Sequence, residues 1–216
     1  MSDQVGRTEP HPIDGDRSTN TDLHYARAVT WCMGFHTFDP DRAPDLEDVT
    51  RYRWCSQEEL LTWLEAHGEQ VVADLGSGTG FYADDVARYV GSVYAIDLQT
   101  EMHEFYREKG VPENVDLIQT PVDDLPLADD SLDAAFSVDT YHEYESEESL
   151  AELARVLRPG GRVVTVDWSA TGDRVAGPPL EERYALGDAV SHFTDAGFTI
   201  THAVDRHETY VCVARR

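Results

Sequence analysis

Two textures of apolar spacing follow one another along this chain. From Leu23 to about His67, apolar and aromatic residues recur with a helical period, and Pro40 and Pro44 interrupt it. Ser56-Gln57-Glu58-Glu59 has the form of a capped helix start leading into Leu60, Leu61 and Leu64. From Val71 onward, short apolar runs of strand length alternate with amphipathic segments of helix length. Strands are predicted at Val71–Leu75, Val93–Asp97, Val115–Gln119, Ala134–Val138, Arg162–Asp167, Thr199–Val204 and Thr209–Ala214. Helices are predicted at Tyr82–Tyr89, Gln99–Lys109, Glu147–Leu157 and Gly187–Ala196. The alternation implies βαβ units and a mostly parallel sheet with helices on both faces. Only Asp205-Arg206-His207-Glu208 separates the last two strands, which is too short for a crossover, so the final strand should run antiparallel.

These textures divide the chain into three. Residues 1–21 are rich in Asp, Thr, Pro, Gly and Ser, lack an apolar period, and read as a mobile tail. Residues 22–68 read as an N-terminal helical cap, and residues 69–216 as the α/β domain.

Charge adds a feature that the pattern does not show. The chain of 216 residues carries 42 acidic against 17 basic residues, a formal net charge of −25, and its only lysine is Lys109. Such acidity can mark a disordered chain, but 41% hydrophobic residues in regular runs argue for a folded one. An acidic, lysine-poor surface suits concentrated salt, where the Debye length falls to about 3 Å at 1 M and self-repulsion is screened. A halophilic protein is therefore expected. Nucleic acid is disfavoured as a partner, although a salt-adapted chain is acidic whatever it binds. No basic and apolar leader opens the sequence and no apolar run is long enough to span a bilayer, so a cytoplasmic location and no membrane partner are expected. Cys32, Cys55 and Cys212 are widely spaced and read as reduced thiols. A metal shared by Cys32, His36 and Cys55 lacks a supporting CxxC pair, and no metal is expected.

The chemistry centres on Val71-Val72-Ala73-Asp74-Leu75-Gly76-Ser77-Gly78-Thr79-Gly80, a strand entering a glycine turn before a helix. Alternate glycines let the backbone bend sharply and approach a ligand closely. A second apolar strand ends in Asp97, placing a carboxylate beside that loop where it can hold ribose hydroxyls. The pair points to a Rossmann-like fold binding an adenosine-type cofactor. The dinucleotide fingerprint needs a small residue at the position of Phe81, and no Tyr-x-x-x-Lys pair exists because Phe105 stands four before Lys109. A nicotinamide oxidoreductase is disfavoured.

Asp74-Leu75-Gly76-Ser77-Gly78-Thr79-Gly80 closely resembles motif I of the class I S-adenosylmethionine (SAM)-dependent methyltransferases. The similarity runs on through Asp97, then through the stretch from Asp123 to Asp133, to Leu153-Ala154-Arg155-Val156-Leu157-Arg158-Pro159-Gly160-Gly161. It looks most like the UbiE-like, "type 11" branch, which acts on small molecules. The resemblance implies SAM as cofactor, with Asp74, Gly76, Ser77, Gly78 and Gly80 around its methionine part. It also implies Asp97 at the ribose, Leu98 beside the adenine, and Val122 and Asp123 at the adenine edge, where Pro121 replaces the family's usual acid.

After the fourth strand the chain reads Ser137-Val138-Asp139-Thr140-Tyr141-His142-Glu143-Tyr144, at the sheet edge where ligands bind. His142 has a near-neutral reference pKa and could take a proton from an acceptor hydroxyl or thiol, or simply pack; Asp139 could assist or only shape the loop. Methyl transfer is an in-line displacement that positioning alone can accelerate. Trp31 and His36 from the cap, with Tyr141, are candidate walls of an acceptor pocket. The expected function is methyl transfer from SAM to a small-molecule acceptor. A SAM-binding regulator or scaffold without turnover is the alternative, and the oligomeric state, a homodimer among the options, is left open by the sequence.

Overall fold

The computed structural model describes residues 37–216. Seven strands form one sheet: β1 (Val71–Leu75), β2 (Ser92–Asp97), β3 (Val115–Gln119), β4 (Leu132–Val138), β5 (Leu157–Trp168), β6 (Thr199–Asp205) and β7 (Thr209–Arg215). Their order is β3-β2-β1-β4-β5-β7-β6. The first five pair in parallel, and β7 inserts antiparallel between β5 and β6. The chain reverses direction across the sheet between β3 and β4, so β1 and β4 lie side by side with their C-terminal ends open to one crevice. In such sheets that crevice is where ligands bind.

Six helices accompany the strands: α1 (Gln57–Leu64), α2 (Phe81–Ala87), α3 (Thr100–Lys109), α4 (Tyr141–Tyr144), α5 (Glu147–Val156) and α6 (Leu186–Asp195). The period-2 geometry of the strands sends alternate residues to opposite faces. Val72, Val93, Phe136, Val164 and Val213 pack with Leu60 and Leu64 of α1 and Phe81, Tyr82 and Val86 of α2. Their neighbours Ala73, Ile96, Ala135, Val163 and Cys212 pack with Leu150 and Leu153 of α5 and Phe193 of α6. Both faces are covered, which is why these strands read as continuous apolar runs.

The predicted strands and long helices are all present within a few residues. Ser56 caps α1, its hydroxyl accepting from the Glu59 amide at 3.2 Å, and Ser146 caps α5 in the same way at 3.0 Å. Three differences have physical causes. The described part of the cap contains two 3-10 helices, Pro40–Glu47 and Val49–Arg53, before α1. Pro44 offers no amide inside the first, and Asp39 and Asp48 accept from amides two residues on, which favours tight turns over an α-helix. The Arg158-Pro159-Gly160-Gly161 turn is absorbed into a long β5 as an irregularity: pairing with β4 jumps from Leu132↔Leu157 to Ala134↔Arg162. The short α4 follows β4, where the sequence showed only a loop. Among the described residues no helix is long and apolar enough to cross a membrane, and no group of His, Cys, Asp or Glu is arranged to hold a metal ion.

Candidate functional site

The glycine loop turns sharply because β1 must hand over to α2 without leaving the sheet edge. The amides of Gly76 and Ser77 both donate to the Ile96 carbonyl of β2, at 2.8 and 2.9 Å. Gly76 has φ +71°, and a Cβ there would stand 2.1 Å from the Thr140 methyl on the loop after β4. Gly80 has φ +80°, and a Cβ there would stand 2.1 Å from the Tyr106 ring of α3. Both positions therefore require glycine on two counts, backbone conformation and space.

Asp97 closes the loop from the side. Its carboxylate accepts from the Gly78 amide at 2.7 Å with one oxygen and from the Gln99 amide at 2.8 Å with the other. Burial pushes its pKa up, and these backbone amides pull it back. Asp74 is more deeply buried, and that burial holds its carboxyl well above the ordinary carboxylate range. Two polar atoms at this site are buried without a hydrogen-bond partner: Ser77 Oγ and Asp139 Oδ1. Unpaired buried polar atoms cost free energy, so their presence around a glycine cradle marks a place where a ligand supplies the missing partners.

Across the crevice, α4 and β5 bring together residues that are 25 apart in sequence. His142 Nδ1 donates to Asp167 at 2.9 Å, and the His142 amide donates to the other oxygen of the same carboxylate at 2.7 Å. Burial alone would lower the His142 pKa, but the charge and hydrogen bonds of Asp167 override it and lift it to about 9. The imidazole, with Nδ1 donating to Asp167, is thereby held toward its protonated form. Glu143 stands beside it, 4.0 Å from Nε2, and burial, partly offset by His142, pushes its carboxyl up to about 7.

The 3-10 segments run over the glycine loop. Arg51 Nη2 pairs with Asp139 Oδ2 at 3.3 Å. Glu47 bonds the Thr79 hydroxyl and pairs with Lys109 at 3.2 Å. Trp54 meets Trp168, at the end of β5, edge to face with centroids 4.9 Å apart. Beyond Trp168 a cavity of about 550 Å³ is lined by the loop from Arg174 to Arg183.

The structure brings Asp74, Gly76, Ser77, Gly78, Gly80 and Asp97 together, with Asp139 and His142 across the crevice from them. Leu98 is 56% exposed next to Asp97. One expectation needs correction. Tyr141 is fully buried, stacked on Phe193 with its hydroxyl 3.0 Å from His192 Nδ1, so it belongs to the core. The Val122 side chain packs into the core, which leaves its backbone amide as the group it can offer at the adenine edge, and Asp123 is exposed. Trp31 and His36 lie outside the described residues. The sequence reading missed Arg51, Glu143 and Asp167. Asp167 had a usable signal, an acid closing an apolar strand just as Asp97 does. Arg51 had none, since its partner is 88 residues away.

A methyltransferase-domain family model matches residues 73–165. An uncharacterized methyltransferase of Mycobacterium tuberculosis is 34% identical over 140 residues, 59% of this chain and 56% of the relative. The crystal structure of a SAM-dependent methyltransferase from Aquifex aeolicus superposes with a TM-score of 0.76 at 31% identity, covering 83% of this chain and 99% of that one. The chain belongs to the SAM-dependent methyltransferases. The ubiquinone/menaquinone biosynthesis C-methyltransferase UbiE of Klebsiella pneumoniae is 33% identical over 108 residues, 46% of this chain and 43% of the relative. The chain spans about half the length of the curated relatives it matches. SAM is the family's cofactor, and the donor set fits it: buried acids for hydroxyls and an ammonium, an unpaired serine hydroxyl, and a loop without side chains where the backbone must come close.

Proposed function

We propose that this methyltransferase moves a methyl group from SAM to a small-molecule acceptor. One observation carries the reading. The glycine cradle braced by Asp97 lies beside Thr140, in the segment after β4 that carries Asp139 and His142, which supports a reading in which cofactor and acceptor meet at this sheet edge. When bound, SAM supplies a methyl carbon made electrophilic by its sulfonium. The chain's own residues then have three tasks. The glycine loop, Asp74 and Asp97 fix the cofactor's orientation, with Leu98 and Asp123 at its adenine side. Trp54 and Trp168 exclude water from the acceptor side. His142, held protonated by Asp167, donates toward the acceptor, and Glu143, with a pKa of about 7, takes the proton that a hydroxyl or thiol must lose. Relatives named for ubiquinone/menaquinone biosynthesis support a small acceptor.

Calorimetry in molar potassium chloride tests the cofactor. SAM and S-adenosylhomocysteine should bind, and NAD should not; NAD binding more tightly than SAM would overturn the reading. Cell extract incubated with the protein and methyl-labelled SAM should then yield a labelled small molecule by mass spectrometry. Tight SAM binding with no labelled product across extracts would favour a binding protein without turnover.

A further inference from the structure

Residues 38–54 form a strap over the cofactor loop, held by polar contacts along its first half and by Tyr52, packed on Phe81 and Tyr82, in its second. Ala43 is the one buried residue of Pro40–Glu47, and Val49–Arg53 contains none. The Gln99 side chain donates to the Phe38 carbonyl at 3.0 Å, and Glu47 bridges Thr79 and Lys109. A Leu46 methyl lies 3.2 Å from where a Cβ on Gly78 would stand. A segment with one buried residue in its two 3-10 helices lies toward the low-stability end of a fold.

Arg51 is the charge that the strap sends inward. Its side chain is 17% exposed; Nη1 donates to the Leu46 carbonyl at 3.0 Å, and the guanidinium lies over the rings of Phe81 and Tyr82. Its partner Asp139 sits at φ +63°, a conformation costly for a residue with a side chain. Asp139 Oδ1 is buried and unpaired, although its other oxygen is held by Arg51. Asp139 thus meets the guanidinium through one oxygen only, at the Gly76 end of the loop. That arrangement leaves one acceptor oxygen open, while the guanidinium fork retains donors. An α-amino-acid group complements it, with an ammonium and a carboxylate on one carbon.

Arg51 and Trp54 are three residues apart, one 3-10 turn. Whatever fixes Arg51 therefore also fixes Trp54 against Trp168. We propose that the strap is a lid latched by the amino-acid end of the cofactor: Asp139 Oδ1 accepts its ammonium, Arg51 binds its carboxylate, and this contact sets the Trp54 wall of the acceptor pocket. The acceptor side is then completed only after the cofactor is in place. This inference rests on the cofactor reading above.

The test compares S-adenosylhomocysteine with 5′-methylthioadenosine, which keeps the adenosine and thioether but lacks the amino acid. Arg51→Gln should weaken S-adenosylhomocysteine by about tenfold or more, the loss of a charge-assisted pair, and leave methylthioadenosine nearly unchanged. Arg51→Lys, with charge but no fork, should fall between. In the unmutated protein, hydrogen exchange of residues 38–54 should slow with S-adenosylhomocysteine and not with methylthioadenosine. Equal weakening of both ligands by Arg51→Gln, or exchange of the strap indifferent to S-adenosylhomocysteine, would overturn the latch. The exchange measurement needs no variant, so it stands even if Arg51→Gln folds poorly. Failure of the folded, unmutated protein to bind S-adenosylhomocysteine would instead remove the cofactor reading itself.

Discussion

Replacing Asp167 by Asn removes one charge and one acceptor from the most enclosed ion pair of the crevice. Asp167 is fully buried and His142 is 4% exposed. The carboxylate accepts from the His142 amide, from Nδ1 and from the Trp168 amide. Asn retains one acceptor oxygen and turns an NH₂ group toward the remaining donors. Breaking a buried pair in this way costs roughly 3–5 kcal/mol. The pH dependence separates this pair from general damage. His142 is held up to about 9, against an ordinary value of 6.5. Between those values the folded protein binds a proton that the unfolded chain does not, so stability falls by about 1.4 kcal/mol per pH unit. The contribution is fully present below 6.5 and lost as pH rises through 9. Without the carboxylate, burial dominates and His142 is neutral throughout that window in both states. The stability gap between wild type and Asp167→Asn should therefore shrink by about 2 kcal/mol from pH 7.5 to 9.5. That range lies above the Glu143 value of about 7, so Glu143 is largely ionised at both ends. Urea unfolding at fixed molar potassium chloride reads the gap directly. A gap that stays constant or widens toward pH 9.5 would refute the claim that Asp167 keeps His142 protonated.

Two further outcomes are expected. Asp97→Asn keeps an acceptor for only one of the Gly78 and Gln99 amides, a loss of roughly 1.5–3 kcal/mol for a charged hydrogen bond. S-adenosylhomocysteine affinity by calorimetry should drop about tenfold or more with the circular dichroism spectrum intact, and a dissociation constant within threefold of wild type would show that Asp97 does not brace the site. With a net charge of −25, the melting temperature should climb steeply from low salt to molar potassium chloride, and a flat profile would contradict adaptation to salt.

By itself, the sequence determined every strand, the long helices, the antiparallel hairpin at the end, and the pairing of a glycine loop with Asp97. All of these are written in local spacing: period 2 against 3.6, a serine before a helix, glycines at alternate positions, an acid closing an apolar run. Tertiary structure alone decided which side chains face each other across the crevice. Asp139 could have been a base or a bend; the 3-10 strap, shaped by Pro44 and the Asp caps, brings Arg51 to it from 88 residues away. His142 could have been a base or a packing residue; Asp167, on β5, pairs with its Nδ1 and lifts its pKa. Tyr141 and His142 are adjacent in sequence, yet the short helix after β4 turns Tyr141 into the core against Phe193 and turns His142 toward Asp167. Periodicity specifies an element and its buried face through interactions within a few residues. A protonation state or an ion pair depends on charges and burial contributed by distant segments, which become neighbours only when the sheet forms.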